Sequence, residues 1–154
     1  MSALPDVIRF YRLADPYGEF SNFAGYPIEL NGRVWPTSEH YFQAQKFVEA
    51  VYQEEIRRAA TPMIAARLGR SRQRPLREDW ESVKEPIMRE ALLAKFTQHD
   101  DLRAQLLATG NAQLIEHTSN DAYWGDGGDG SGKNRLGQLL MELRAELQGS
   151  ASSP

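Results

Sequence analysis

The chain has 154 residues, 41% of them hydrophobic and 25% charged, enough for one globular domain with a proper core. A net charge of −3 excludes binding to nucleic acid through bulk positive charge, and the absence of cysteine excludes a disulfide scaffold, a thiolate zinc site and a cysteine nucleophile. No run approaches the roughly 18 apolar residues of a membrane helix, and the start MSALPDVIRF has neither the basic stretch nor the long apolar run of a secretory signal, so a cytoplasmic protein with no membrane partner is expected.

In chain order, VIRFYRL (7–13) is rich in β-formers and predicts a strand. Residues 14–25 predict a loop. YPIELNGRVWP (26–36) sets Asn31-Gly32 between two apolar runs, a strong hairpin signal that Pro36 ends. Thr37 can cap a helix with Glu39 in its first turn, running to about Ala60. Thr61-Pro62 restarts a short helix that Gly69 is expected to stop. After an arginine-rich loop, Asp79 opens a helix to about Thr97, with a kink expected at Pro86. Asp100 to Ala108 forms another helix, closed by Gly110. AQLIEHT (112–118) predicts a strand, 120–133 a glycine-aspartate loop, and Asn134 to Leu147 a last amphipathic helix. The expected fold is α+β, a mainly helical single domain over 1–147 with a small antiparallel sheet or hairpin, and a polar tail at 148–154.

Within the helix expected at 37–60, Tyr41, Ala44, Val48, Val51, Tyr52 and Ile56 form the apolar stripe, widened by Phe42 and Phe47. Glu39, Gln43 and Lys46 follow at i, i+4 and i+7, so they share one face over roughly 10 Å. A half-buried carboxylate there can exchange protons, and a partly desolvated lysine can lose its proton and attack a carbonyl or imine carbon. Spacing alone is met more simply by Glu39 as a dipole partner, Lys46 reaching solvent, and His40 as a hydrogen-bonded half-core residue.

Two loops add candidates. In YGEFSNF (17–23), Asn22 offers a donor and an acceptor for a base edge or sugar hydroxyl, and Phe20 and Phe23 offer a ring platform; an Asx turn anchored by two phenylalanines fits as well. YWGDGGDGSGKNRLG (123–137) carries five glycines in residues 125–132, next to Trp124, and runs into a helix. Glycines let backbone approach a ligand, and a helix start supplies N–H groups for an anion. The spacing fits neither a Walker A loop nor an EF-hand. Arginine outnumbers lysine 14 to 4, and seven arginines fall between Arg57 and Arg77, which suits fork-like recognition of phosphate or a face paired with Glu54 and Glu55.

FYRLADPYGEFSNF, WPTSEHYFQAQKF, TPMIAARLGR, LREDWESVKEPIM, EHTSNDAYWGDGG and GKNRLGQLLMELR follow one another across nearly the whole chain. Together they resemble the NADAR family, specifically its bacterial N-glycosidases. The resemblance implies hydrolysis of the bond between ribose C1 and an exocyclic amine. The implied substrates are small phosphoribosylaminopyrimidine intermediates of riboflavin biosynthesis, or ADP-ribose carried on the amino group of guanine, including on nucleic acid. It also implies Glu39, Lys46 and Asp126 as catalytic candidates, with Lys46 as an imine-forming nucleophile or, in a rival route, only a positioning cation. Asn22, Phe23, Trp80, Trp124, Asp129, Asn134 and Arg135 are the implied substrate contacts, with arginines of 67–77 for phosphate. No cofactor and no metal is implied, and His40, His99 and His117 lack metal-ligand spacing. A monomer or small homo-oligomer is expected. The alternative is a non-catalytic module that binds ADP-ribose or a nucleotide.

Overall fold

The computed structural model describes residues 5–151. The chain forms two compact units: Asn22–Gln98 is one, and the flanking segments ending at Ser21 and starting at His99 make the other. Among the described residues, six α-helices and two small sheets make an α+β fold that is mainly helical.

The flanking unit is built on strands β1 (Val7–Phe10) and β4 (Gln113–Glu116), with a short 3-10 helix at Gly18–Phe20. The two strands pair in parallel, Val7 opposite Gln113 and Phe10 opposite Glu116. Sequence predicted both strands but gave them no partner. Parallel pairing needs a long crossover, and here the whole Asn22–Gln98 segment lies between them in the chain. Ile8, Phe10 and Leu114 point into the core. Helix α5 (Asp100–Ala108) precedes β4. Helix α6 (Arg135–Ala151) runs past Leu147, the expected end, and buries Leu136, Leu139, Leu140, Leu143 and Leu147 at helical spacing.

In the Asn22–Gln98 unit, β2 (Ile28–Leu30) and β3 (Arg33–Trp35) form the expected hairpin. Asn31 and Gly32 have φ of 56° and 76°, the positive pair a tight hairpin turn requires. Helix α1 (Ser38–Ala44) starts at Thr37, whose hydroxyl accepts from the His40 backbone N–H at 3.1 Å. The single helix expected over 37–60 is in fact two, because α1 ends at Ala44 and α2 spans Ala50–Arg57. The backbone tightens first, with Lys46 N–H donating to Gln43 C=O and Phe47 N–H to Ala44 C=O, and then breaks. The freed carbonyls find distant donors. Arg77 N–H reaches Lys46 C=O at 2.9 Å, and Gln53 Nε2 reaches Phe47 C=O at 2.7 Å. The break turns Phe47 fully inward and leaves Val48 and Val51, expected in the stripe, 66% and 69% exposed.

Helix α3 (Pro62–Arg70) is capped by Thr61 and contains Gly69 rather than stopping there. Helix α4 (Trp80–Gln98) carries Pro86 in its interior. Ile28, Trp35, Tyr41, Ala44, Phe47, Ile56, Ala65, Ala91 and Ala94 form the core of this unit.

Candidate functional site

Glu39 sits in the first turn of α1, only 7% exposed. Its backbone N–H donates to Asn22 C=O at 3.2 Å, and its Oε2 accepts from Gln43 Nε2 at 2.8 Å. The i, i+4 relation read from sequence therefore holds. Lys46 lies beyond the end of α1, in the tightened turn. Its Nζ stands 5.8 Å from the Trp80 ring centre and 6.0 Å from that of Phe42, two buried rings whose centres are 5.1 Å apart. Burial lowers the Lys46 pKa to about 8; Arg72 pushes the same way, Glu39 opposes, and Arg70 again lowers it. Half a turn of 3-10 geometry has thus replaced α-helix without separating Lys46 from the field of Glu39.

Asn22 is buried, and its side chain is already engaged: Oδ1 accepts from Ser38 Oγ at 2.7 Å, and Nδ2 lies 3.4 Å from Met88 Sδ. It clamps the start of α1. Phe23 is half-buried. His40 is a bridge, its Nδ1 on Thr37 Oγ1 at 2.8 Å and its Nε2 on Ala59 C=O at 3.0 Å. Burial lowers its pKa against the raising effect of Ala59, which suits a neutral structural imidazole.

The seven arginines separate by employment. Arg57 and Arg58 serve Glu54, Arg74 pairs with Glu55 and stacks 4.5 Å from the Tyr52 ring centre, and Arg77 pairs with Asp79. Arg72 gives one nitrogen to the carbonyls of Gly69 and Ser71. Among the described residues, the side chains of Arg67 and Arg70 form no hydrogen bond or ion pair. Arg70 and Arg72 are also the two whose charge Lys46 feels. Arginine count alone carried no such distinction.

The flanking unit holds the other candidates. Asp126, 5% exposed, accepts from Thr118 N–H at 3.0 Å and Gly128 N–H at 2.9 Å on one oxygen, and from His117 Nδ1 at 2.7 Å on the other. Burial pushes this carboxyl up, but His117, Gly128 and Thr118 together outweigh it and hold it below the ordinary carboxylate range. Asp129 turns onto Ser131, with N–H at 2.9 Å and Oγ at 2.6 Å. Asn134, at φ 51°, pairs with the strand edge like a peptide group. Its Nδ2 donates to Leu114 C=O at 2.9 Å and its Oδ1 accepts from Glu116 N–H at 3.0 Å. Arg135 donates to Gln138 Oε1. Trp124 meets Tyr123 edge-on, centres 4.9 Å apart, while Asp121 holds both their N–H groups.

A cavity of about 460 Å³ opens in this unit, lined by Arg9, His117, Asp126, Asp129, Lys133 and Asn134 among others. The His117–Asp126 pair was missed by sequence reading. The two residues are nine positions apart on either side of a loop, a spacing without periodic meaning. The structure thus brings Glu39, Lys46, Asn22 and Trp80 into one unit and Asp126, Asp129, Trp124, Asn134 and Arg135 into the other.

Residues 9–148 match the NADAR domain. N-glycosidase YbiA of Escherichia coli (strain K12) is 67% identical over 141 residues, 92% of this chain and 88% of that protein. N-glycosidase Npun_R5314 of Nostoc punctiforme is 48% identical over 145 residues, 92% of this chain and 93% of that one. The Zea mays chloroplastic riboflavin biosynthesis protein PYRR is 41% identical over 160 residues, 94% of this chain but 26% of that longer protein. An NMR structure of the E. coli protein YbiA is similar with a TM-score of 0.91 at 62% identity, over 99% of this chain and 91% of that one. With a family match over nearly its whole length and relatives this similar, the chain belongs to the NADAR domain family.

Proposed function

We propose that this protein is an N-glycosidase that hydrolyses the bond between ribose C1 and an exocyclic amine, with Lys46 as nucleophile and Glu39 as proton carrier. The observation that carries this reading is a lysine whose pKa is brought to about 8 beside two buried rings, within the field of a buried carboxylate. An amine so poised is substantially unprotonated just above neutral pH and can attack carbon. The names of the relatives, two N-glycosidases and a riboflavin biosynthesis protein, point the same way.

The chemistry balances without a cofactor. The lone pair of the exocyclic nitrogen expels the ring oxygen from C1 and the N–H proton passes to that oxygen, giving an open-chain imine. Lys46 Nζ adds to C1, its proton passes to the exocyclic nitrogen, and the amine leaves as C1 becomes a lysine imine. Water then adds to C1 as Glu39 takes its proton. Glu39 passes that proton to Nζ, the proton of the C1 hydroxyl follows, Lys46 departs as the free amine, and the freed aldehyde closes to ribose. Trp80 and Phe42 keep bulk water from the lysine, and Arg70 and Arg72 supply unspent guanidinium for a substrate phosphate.

The proposed substrates are phosphoribosylaminopyrimidines of riboflavin biosynthesis, and ADP-ribose on the guanine amino group is the second substrate to be presented. Asp126, with three donors on its carboxylate, is proposed to organise its loop rather than act as a base.

Borohydride added during turnover tests the covalent step. The expected result is a reduced sugar adduct on Lys46, seen by peptide mass; an unmodified Lys46 in active enzyme rules the imine out. Glu39→Gln separates enzyme from binding module: an enzyme stops turning over while still binding ribose 5-phosphate, whereas a module is unchanged.

A further inference from the structure

Gln43 Oε1 is buried without a hydrogen-bond partner. Such an orphan acceptor is uncommon in a folded protein and calls for a reason. Turning the amide over would not relieve it, because Oε1 would then face the Glu39 carboxylate oxygen, two acceptors with no proton between them. The orientation with Nε2 donating to Glu39 Oε2 at 2.8 Å is therefore fixed by chemistry.

The other side of the amide rests on α3. A methyl group built on Gly69 would lie 2.0 Å from Gln43 Oε1, 2.8 Å from its Cδ and 2.9 Å from its Cβ. A side chain there would have to push the Gln43 amide aside, so glycine inside α3, although a weak helix former, leaves Gln43 the space it occupies. The acceptor points into the space that a side chain on Gly69 would fill, and it has no hydrogen-bond partner there. Gln43 thus gives up one hydrogen bond to be held in one place, and that place is against Glu39.

We propose that Gln43 is a positioning residue that fixes the Glu39 carboxylate for proton transfer, and that Gly69 is the residue that admits it. This rests on the reading of Glu39 as the proton carrier. Proton transfer needs the carboxylate at a set distance and angle, and a displacement near 1 Å costs about 10²-fold. A side chain that donates from one end and is wedged at the other supplies that constraint.

Steady-state kinetics on a phosphoribosylaminopyrimidine, with melting temperature recorded for each variant, tests the proposal. Gln43→Met keeps the bulk and removes the donor; kcat is expected to fall about 10- to 100-fold with KM within about twofold. Gly69→Ala is expected to do the same by displacing the Gln43 side chain. In the Gln43→Ala background, Gly69→Ala is expected to lower kcat no further, since both act through one contact. The proposal is overturned if Gln43→Met retains kcat, or if the Gln43→Ala and Gly69→Ala losses multiply. Glu39→Gln, run alongside, keeps the two readings distinct. Inactive Glu39→Gln with unaltered Gln43→Met overturns the positioning role alone, whereas active Glu39→Gln overturns the proton carrier and the positioning role with it.

Discussion

The two units use the polar groups of their candidate residues differently. In the flanking unit Asp126 has three donors, Asp129 two, and Asn134 completes a strand edge with both ends of its amide. In the Asn22–Gln98 unit Lys46 is desolvated against two like charges, Gln43 has an orphan acceptor, and the exposed Arg70 side chain has no partner among the described residues. Satisfied polar groups build architecture, because every donor spent inside the protein lowers the energy of one arrangement. A lysine desolvated against like charges instead holds free energy that reaction at its nitrogen can release, which is how a site differs from a scaffold.

Four substitutions can break or sharpen that contrast. The largest effect is expected from Lys46→Met, which should cut kcat/KM by about 10³-fold or more while the protein stays folded, because what remains is only binding and electrostatics. Product release assayed by chromatography measures it, and turnover near that of the parent protein removes Lys46 from the chemistry.

Asp126→Ala comes next, and its expected effect is on stability, about 2 kcal/mol by urea unfolding, since three donors lose their acceptor. The sign with pH follows from a folded carboxyl held below its unfolded value. Its contribution is full above about pH 4 and disappears as acid protonates the folded form, so parent and variant should converge in acid. An inactive variant of undiminished stability would instead make Asp126 part of the chemistry and erase the contrast.

Arg72→Gln is expected to be milder. In the parent, kcat/KM should rise with pH through a midpoint at about 8 as Lys46 loses its proton. Removing Arg72 removes a like charge, so the midpoint should move up and activity at neutral pH should drop several-fold. A pH–rate series reads the direction, and a midpoint that moves down or stays put separates Arg72 from Lys46. The smallest effect is at Thr37→Ala, about 1 kcal/mol of stability from a lost helix cap, with kcat reduced only if the start of α1 carries Glu39 out of place.

Local chemistry made some of this legible beforehand. Asn31-Gly32 declared its turn because only such residues adopt two consecutive positive φ values cheaply, and Thr37 and Thr61 declared their helix starts because a hydroxyl can replace a missing carbonyl. Glu39 and Gln43 were placed on one face by the helical repeat alone. The run of motifs across the chain indicated the family. Val48 and Val51 were misjudged because the helix they were assigned to does not continue, and nothing near them announces the break.

What the sequence determined by itself was the set of local elements, the exclusion of thiol chemistry and the presence of a carboxylate and an amine two turns apart. Tertiary structure decided the rest. Arg77, 31 residues beyond Lys46, catches the carbonyl that ends the α1 turn. β1 takes its parallel partner more than a hundred residues away, and His117 meets Asp126 only when the loop closes. Gly69 accommodates Gln43 from another helix. Each of these depends on groups distant in sequence becoming neighbours. Burial and charge, which set the lysine's pKa, exist only once the chain has folded.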